Sequence, residues 1–128
     1  MCAGPGGKAA LLSSIARERK ITFTANEVSA VRADLVRQVV NGDRVLVGDG
    51  REIGDQEEKF DAILIDAPCT GLGALRRRPE VRWRRTLQDL RELTQLQREL
   101  IESAVRALKV GGVLGYATCS PHLAETSI

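Results

Sequence analysis

Apolar positions recur with two different periods along the chain. Over residues 86–109, Leu87, Leu90, Leu93, Leu96, Leu100, Ile101, Ala104, Val105 and Leu108 return every three or four residues among Arg, Glu, Asp and Gln, which lines one side of an α-helix. Gly111-Gly112 is expected to end that helix. A strand over residues 113–117 follows at once, so the stripe is expected to pack on a sheet and not on a coiled-coil partner. Shorter helices are predicted over residues 8–18 (Ala10, Leu11, Ile15, Ala16) and 30–40 (Val31, Leu35, Val36, Val39), the second capped by Ser29. Short strands are predicted at 21–25, 44–47 and 62–65, and residues 54–59 read as an acidic loop. Turn, helix, strand, helix, strand, strand, long helix, strand is the order of an α/β fold with a mostly parallel sheet and right-handed crossovers.

The strands deliver polar residues to their carboxyl ends, where open α/β sheets bind ligands. The first ends at Asn26-Glu27 and the second at Gly48-Asp49-Gly50. The third ends at Asp66, with Pro68 and Cys69 next, and the last at Thr118-Cys119-Ser120-Pro121. Four such ends are expected to face one crevice. Residues 2–8, CAGPGGK, form a glycine turn ahead of a helix, where backbone amides can seat an anion or a polar cofactor edge; a helix-starting turn without a ligand explains them equally. GPGG is neither the dinucleotide fingerprint nor, with GGKA, a complete phosphate loop. Glu27 lies 19–23 residues beyond Gly4 to Lys8, about where nucleotide-binding units place a carboxylate on a ribose diol. A surface glutamate near a cap is the alternative, and Asp49 between glycines can be a turn former.

Charge changes the picture in one place. Arg76, Arg77, Arg78, Arg82, Arg84 and Arg85 stand against Glu80 alone, net +5, whereas the whole chain sums to +2 and everything outside the segment to −3. Arginines suit phosphate backbones, and Trp83 among them can stack on a base; a solvated face with one buried tryptophan is the alternative. Aromatic residues make up only 3%, so the core must come from Leu, Val, Ile and Ala. With 128 residues the chain suits one domain of modest core. Three widely spaced cysteines and one histidine, His122, argue against a disulfide scaffold and a metal site. No apolar run is long enough for a membrane span and no signal peptide opens the chain, so a soluble cytoplasmic protein is expected.

DAPCTGLGALRRRPEVRW with YATCS fifty residues later closely resembles the RsmB/Nop2/Sun family of RNA cytosine-5 methyltransferases. The resemblance covers essentially all of residues 1–128 and implies a Rossmann-like class I methyltransferase fold with helices on both faces, S-adenosyl-L-methionine as cofactor and RNA, of ribosomal type, as substrate. CAGPGGK is similar to the family's first cofactor motif, so Gly4, Gly6 and Gly7 would approach the methionine part, and Cys2, Ala3, Pro5 and Lys8 count with them among the cofactor-binding residues. Glu27 matches the residue that binds the ribose hydroxyls, and Asp49 the one near the adenine. By the same resemblance Cys119 is the nucleophile, Cys69 assists product release, and Asp66 orients the cytosine edge and counts among the cofactor-binding residues. The arginine segment would hold phosphates flanking a single-stranded or flipped cytosine.

The resemblance also implies a strand before CAGPGGK, central in the sheet between those ending at Glu27 and Asp66, and further strands after the TCS motif. This sequence shows neither, and of an ENE-like ending it carries only Ala124-Glu125-Thr126. Residues 1–128 are therefore expected to be a partial catalytic domain. Sheet edges left open would permit an oligomer, and a non-catalytic RNA-binding or assembly module with the methyltransferase fold is the rival reading.

Overall fold

The chain folds as two units, Met1–Ile53 and Gly54–Ile128, in a computed structural model that describes residues 1–127. In the first unit, helix α1 (Gly7–Glu18) starts from Gly6 at φ 123°, a left-handed conformation that L side chains rarely adopt. It ends with Lys20 at φ 55°, whose N–H reaches Arg17 O at 3.2 Å while Ile21 N–H reaches Ala16 O at 2.8 Å. That pair of bonds is the Schellman closure of a helix. It consumes the backbone of Ile21, which is why the first strand, β1, occupies Thr24–Glu27 and not the expected residues 21–25.

Ser29 caps α2 (Ala30–Val39) as expected, accepting from Arg32 N. Asn41 and Gly42, both at positive φ, then turn the chain into β2 (Arg44–Val47). β2 lies parallel to β1 with Glu27 opposite Val47. Ala9, Ala25, Val36 and Val40 form the core of this unit, with Ala3, Phe23 and Val45 packed against it. The Gly50–Asp55 segment that leads into the second unit is a 3-10 helix, so the loop expected from residue 54 begins inside a helical turn.

In the second unit β3 (Phe60–Asp66) pairs in parallel with β4 (Leu108–Ala117), Asp66 standing opposite Ala117. Between them in sequence come a 3-10 turn (Leu72–Ala74), the short helix α3 (Val81–Arg84) and α4 (Leu87–Ala107). Thr86 opens α4 with a full capping box, its hydroxyl accepting from Asp89 N and the Asp89 carboxylate accepting from Thr86 N. The helix ends at Ala107, four residues before the glycines expected to stop it. Leu108 is already extended, and Gly111-Gly112 instead belongs to β4. Phe60 pairs with Leu108 and Ala62 with Val113, so residues 109–112 bulge out of the ladder, with Gly111 at φ 82° supplying the bend.

The buried face of α4 is Gln97, Leu100, Ser103, Ala104 and Ala107; α4 contacts β3 in the same unit, where Ile63 and Ile65 are also buried. Leu87 and Val105, expected in the stripe, are exposed. Two polar residues take up part of the face instead. Ser103 is buried because its hydroxyl accepts Gly54 N at 2.9 Å, where a Cβ on Gly54 would come within 2.6 Å of Ser103 O. A short helix, α5 (Leu123–Thr126), closes the unit.

The strands thus form two parallel pairs, β1–β2 and β3–β4. Among the described residues no helix is long and apolar enough to cross a membrane.

Candidate active site

Because β3 and β4 run parallel and in register, whatever follows Asp66 and Ala117 leaves the sheet at one level. Ala67 N–H extends the ladder by one bond, to Ala117 O at 2.8 Å. Cys69 follows three residues after Asp66 and Cys119 two after Ala117, and their sulfurs lie 3.2 Å apart, hydrogen-bonded, with either thiol able to donate. The two strand-end cysteines singled out in the sequence are thus a contacting pair.

Cys119 is exposed and Cys69 partly so. The Cys119 thiol is held above its ordinary 9.0, first by its hydrogen bond with Cys69, then by partial burial and by the negative charges of Cys69 and Asp66. Its proton is therefore harder to remove than that of a free thiol. Its backbone is pinned as well: Cys119 O accepts Gly73 N–H at 2.8 Å, and a Cβ on Gly73 would sit 2.5 Å from that oxygen. Only glycine fits there.

Beneath the cysteines lies a buried polar cluster to which the sequence reading gave no role, although it named Glu125 in the remnant of an ENE-like ending and Ser120 in the TCS motif. Glu125 is fully buried, and its Oε1 accepts from Thr70 N at 2.9 Å and Gln97 Nε2 at 3.1 Å. Its Oε2 accepts from Thr70 Oγ1 at 2.6 Å and from Ser120 Oγ. Burial opposes ionisation of Glu125, but the hydrogen bonds from Ser120, Thr70 and Gln97 outweigh it and hold the carboxyl below its ordinary range. Gln97 Nε2 also donates to Pro68 O at 2.8 Å; both its partners are acceptors, which fixes the amide's orientation and leaves its Oε1 buried without a partner. Tyr116, on β4, donates its hydroxyl to Glu125 O at 3.1 Å, and burial, with the charges of Glu125 and Cys69, pushes its phenol up to about 12.

The arginine segment follows directly. Arg76, Arg77, Arg78 and Arg84 are exposed, and Trp83, expected either to stack on a base or to be buried, is 83% exposed. Arg85 departs from a purely outward role: its Nε donates to Thr70 O at 3.3 Å, tying the segment to the residue after Cys69. The side chain of Arg82 lies outside the described residues.

In the first unit Glu27 is no surface residue, being 1% exposed. Its Oε2 accepts Gly4 N–H at 2.8 Å, and its Oε1 accepts Ser29 N–H at 3.0 Å and Arg32 at 2.9 Å. Ala3 N–H bonds Asn26 O at 2.9 Å, so the glycine turn is stitched to the end of β1. Gly4 is required by this packing: a Cβ there would come within 2.7 Å of Glu27 Oε2. Gly7 differs, since its Cβ would meet nothing within 4 Å, leaving open space over the exposed start of α1, at Gly7 and Lys8. Cys2, Pro5 and Gly6 complete the turn, Pro5 following a cis peptide bond.

Asp49, at the end of β2, forms a forked pair with Arg51, at 3.0 and 2.6 Å, and accepts Arg51 N–H. Those bonds hold its carboxyl below the usual range. Two carboxylates thus stand at adjacent strand ends beside an open helix start, both held by donors of the protein. Among the described residues no group of three or more His, Cys, Asp or Glu side chains could hold a metal ion.

A family model described as 16S rRNA methyltransferase RsmB/F matches residues 1–128. Rv1407 of Mycobacterium tuberculosis (strain ATCC 25618 / H37Rv), named provisionally as a methyltransferase, is 56% identical across 98% of this chain and 28% of its own length. The ribosomal RNA small subunit methyltransferase B of Yersinia enterocolitica (strain NCTC 13174 / 8081) is 43% identical across 94% of this chain and 29% of its own. Among solved structures, PH0851 superposes with a TM-score of 0.89 at 39% identity, over 97% of this chain and 29% of that one. NSun6 from Pyrococcus horikoshii, solved with SFG, gives 0.86 at 34%, over 98% and 33%. The chain spans under a third of the length of the curated relatives it matches. Its α/β fold with parallel strands is the Rossmann-like fold of these methyltransferase neighbours.

Proposed function

Because the chain belongs to the 16S rRNA methyltransferase RsmB/F family, we propose that it transfers a methyl group from S-adenosyl-L-methionine to C5 of a cytosine in ribosomal RNA through a covalent cysteine adduct. The observation that carries this reading is the Cys69–Cys119 pair, sulfurs 3.2 Å apart at the ends of parallel strands. Cytosine C5 is a poor nucleophile until something adds at C6, and a thiolate adds and later leaves more readily than other side chains. Bound S-adenosylmethionine would supply the electrophilic methyl group. By the family resemblance the glycine turn would hold its methionine part, Glu27 its ribose hydroxyls and Asp49 its adenine, which requires the Glu27 carboxylate, held here by Gly4 N–H, Ser29 N–H and Arg32, to turn outward; the related NSun6 was solved with SFG.

The chain's own groups account for the protons. Cys119 attacks C6 as its proton passes to the Cys69 sulfur, the acceptor it already touches. Once the Cys119 sulfur is bonded to carbon it carries no charge. Cys69 then passes that proton to water, the one proton the overall transfer releases, and no pair of thiolates 3.2 Å apart is formed. It is thereafter free to take the C5 proton, directly or through a water, after methylation; the C6–S bond then breaks and Cys119 leaves as thiolate. Asp66 meets the N3/N4 edge of the base, stabilising the charge that builds during addition when a proton lies between them. The exposed arginines hold flanking phosphates, with Trp83 offered to a base.

The test is transfer of labelled methyl groups from the cofactor to cytidine-containing ribosomal RNA, followed by digestion to nucleosides. Label in 5-methylcytidine is expected. Label confined to another nucleoside, or cofactor binding with no label in RNA, contradicts the proposal, the latter in favour of a binding module.

A further inference from the structure

We propose that Glu125 is the positioning residue of the two-cysteine pair: its carboxylate ties the loop after β3 to the loop after β4 and so sets the spacing of Cys69 and Cys119. The inference rests on the reading that these thiols act together, but not on what they act upon. Thr70, next to Cys69, gives Glu125 both its backbone N–H and its hydroxyl, at 2.9 and 2.6 Å. Ser120, next to Cys119, gives its hydroxyl to the same oxygen. Each hydroxyl has one proton, and both point at Oε2, so the 3.0 Å approach between Thr70 Oγ1 and Ser120 Oγ is held by the carboxylate between them and not by a bond of their own.

Four donors meet four acceptor sites and no donor belongs to Glu125. With both hydroxyls donating, the cluster is complete when the acid at this position is ionised. Gln97, reaching both Glu125 and Pro68 O, anchors the clamp to α4.

A glutamine at 125 can preserve the link. Its oxygen can still accept from Thr70 N and Gln97 Nε2, while its NH2 faces two hydroxyls that can rotate to accept. An alanine cannot. The spacing can be read directly with phenylarsine oxide, which bridges two thiols only when they stand close: two As–S bonds form, the two thiol protons leave with the arsenical oxygen as water, and arsenic stays trivalent. Applied to the whole chain, the reagent is expected to give one bridged species mapped by mass spectrometry to Cys69 and Cys119.

Glu125→Ala should slow bridging at least ten-fold, Glu125→Gln should restore it to within about three-fold, and Thr70→Val, which keeps the backbone donor and loses one hydroxyl, should fall between. Alkylation of Cys119 by a single-thiol reagent, measured alongside, should not slow in any of them. A purely structural role would lower the melting temperature without separating the two reagents. Wild-type bridging rates in Glu125→Ala overturn the proposal, and if that variant shows no cooperative melt, wild-type rates in Thr70→Val do so. Absence of bridging in the wild-type chain would overturn both the clamp and the thiol pair beneath the proposed function, whereas bridging that survives the loss of Glu125 removes the clamp alone.

Discussion

Gly4 and Gly7 sit three residues apart in one turn, yet the structure assigns them opposite sensitivities to a methyl group. A Cβ at Gly4 would lie 2.7 Å from Glu27 Oε2, 2.8 Å from Arg32 Cβ and 3.1 Å from Glu27 Cδ. Arg32 Cβ is fixed to the first turn of α2 and cannot swing aside, and Glu27 is buried and held by Ser29 N–H and Arg32. Overpacking of this kind costs about 1–3 kcal/mol. If Glu27 yields, its bond to Gly4 N–H goes too, a charge-assisted bond worth roughly 1.5–3 kcal/mol. Gly4→Ala should therefore lose roughly 2.5–6 kcal/mol, a large share of the about 5–15 kcal/mol by which domains are stable. Gly7→Ala meets no atom and begins a helix, where alanine gains about 0.5–1 kcal/mol over glycine.

Urea unfolding of the two variants beside the wild type reads the difference as midpoint shifts of opposite sign. Calorimetry then separates stability from binding. Gly7→Ala should remain folded and bind S-adenosylmethionine more weakly, because the added methyl fills the open space at the start of α1. Equal midpoints for the two variants would refute the packing argument, and undiminished cofactor affinity in Gly7→Ala would remove Gly7 from the site.

Three other outcomes follow from named groups. The Glu125 carboxyl is held below its ordinary 4.5 in the folded chain, so its stabilisation is fully present above that value and is lost as pH falls through the depressed one; acid unfolding should be steeper in the wild type than in Glu125→Gln, and matching profiles would contradict the cluster. The pH profile of Cys119 alkylation should lie above 9.0 and move down in Cys69→Ala, which removes the largest cause of the shift; an unmoved or rising profile would detach the two thiols. Trp83→Ala should weaken single-stranded RNA binding by about 1–3 kcal/mol if the ring stacks on a base, with no change in melting temperature because the side chain is 83% exposed.

The parts of the site that were legible in the sequence are those whose signal is local. Asp66, Cys69 and Cys119 follow apolar runs, and a strand end in an α/β order says where such residues go. Glu27 was legible by spacing, though its burial was not. The polar cluster under the cysteines was missed because Thr70, Ser120 and Glu125 look like surface residues until a partner from another element is known. Gln97 did carry a signal: it falls four residues after Leu93 and three before Leu100, on the very stripe that α4 buries. The end of α4 misled for a different reason. Glycine commonly terminates helices, but Gly111-Gly112 serves a bulge in β4, and a pair of glycines satisfies either geometry.

Covalent capture by Cys119 is the step on which the functional account turns, and denaturing gels of the chain with cofactor and RNA read it directly. With 5-fluorocytosine RNA there is no C5 proton to remove, so the wild-type chain should give a slow-migrating covalent species. Cys69→Ala should accumulate the same species even on ordinary cytosine RNA, and Cys119→Ala should give it on neither. Equal adduct yields from Cys119→Ala and the wild type would contradict the account.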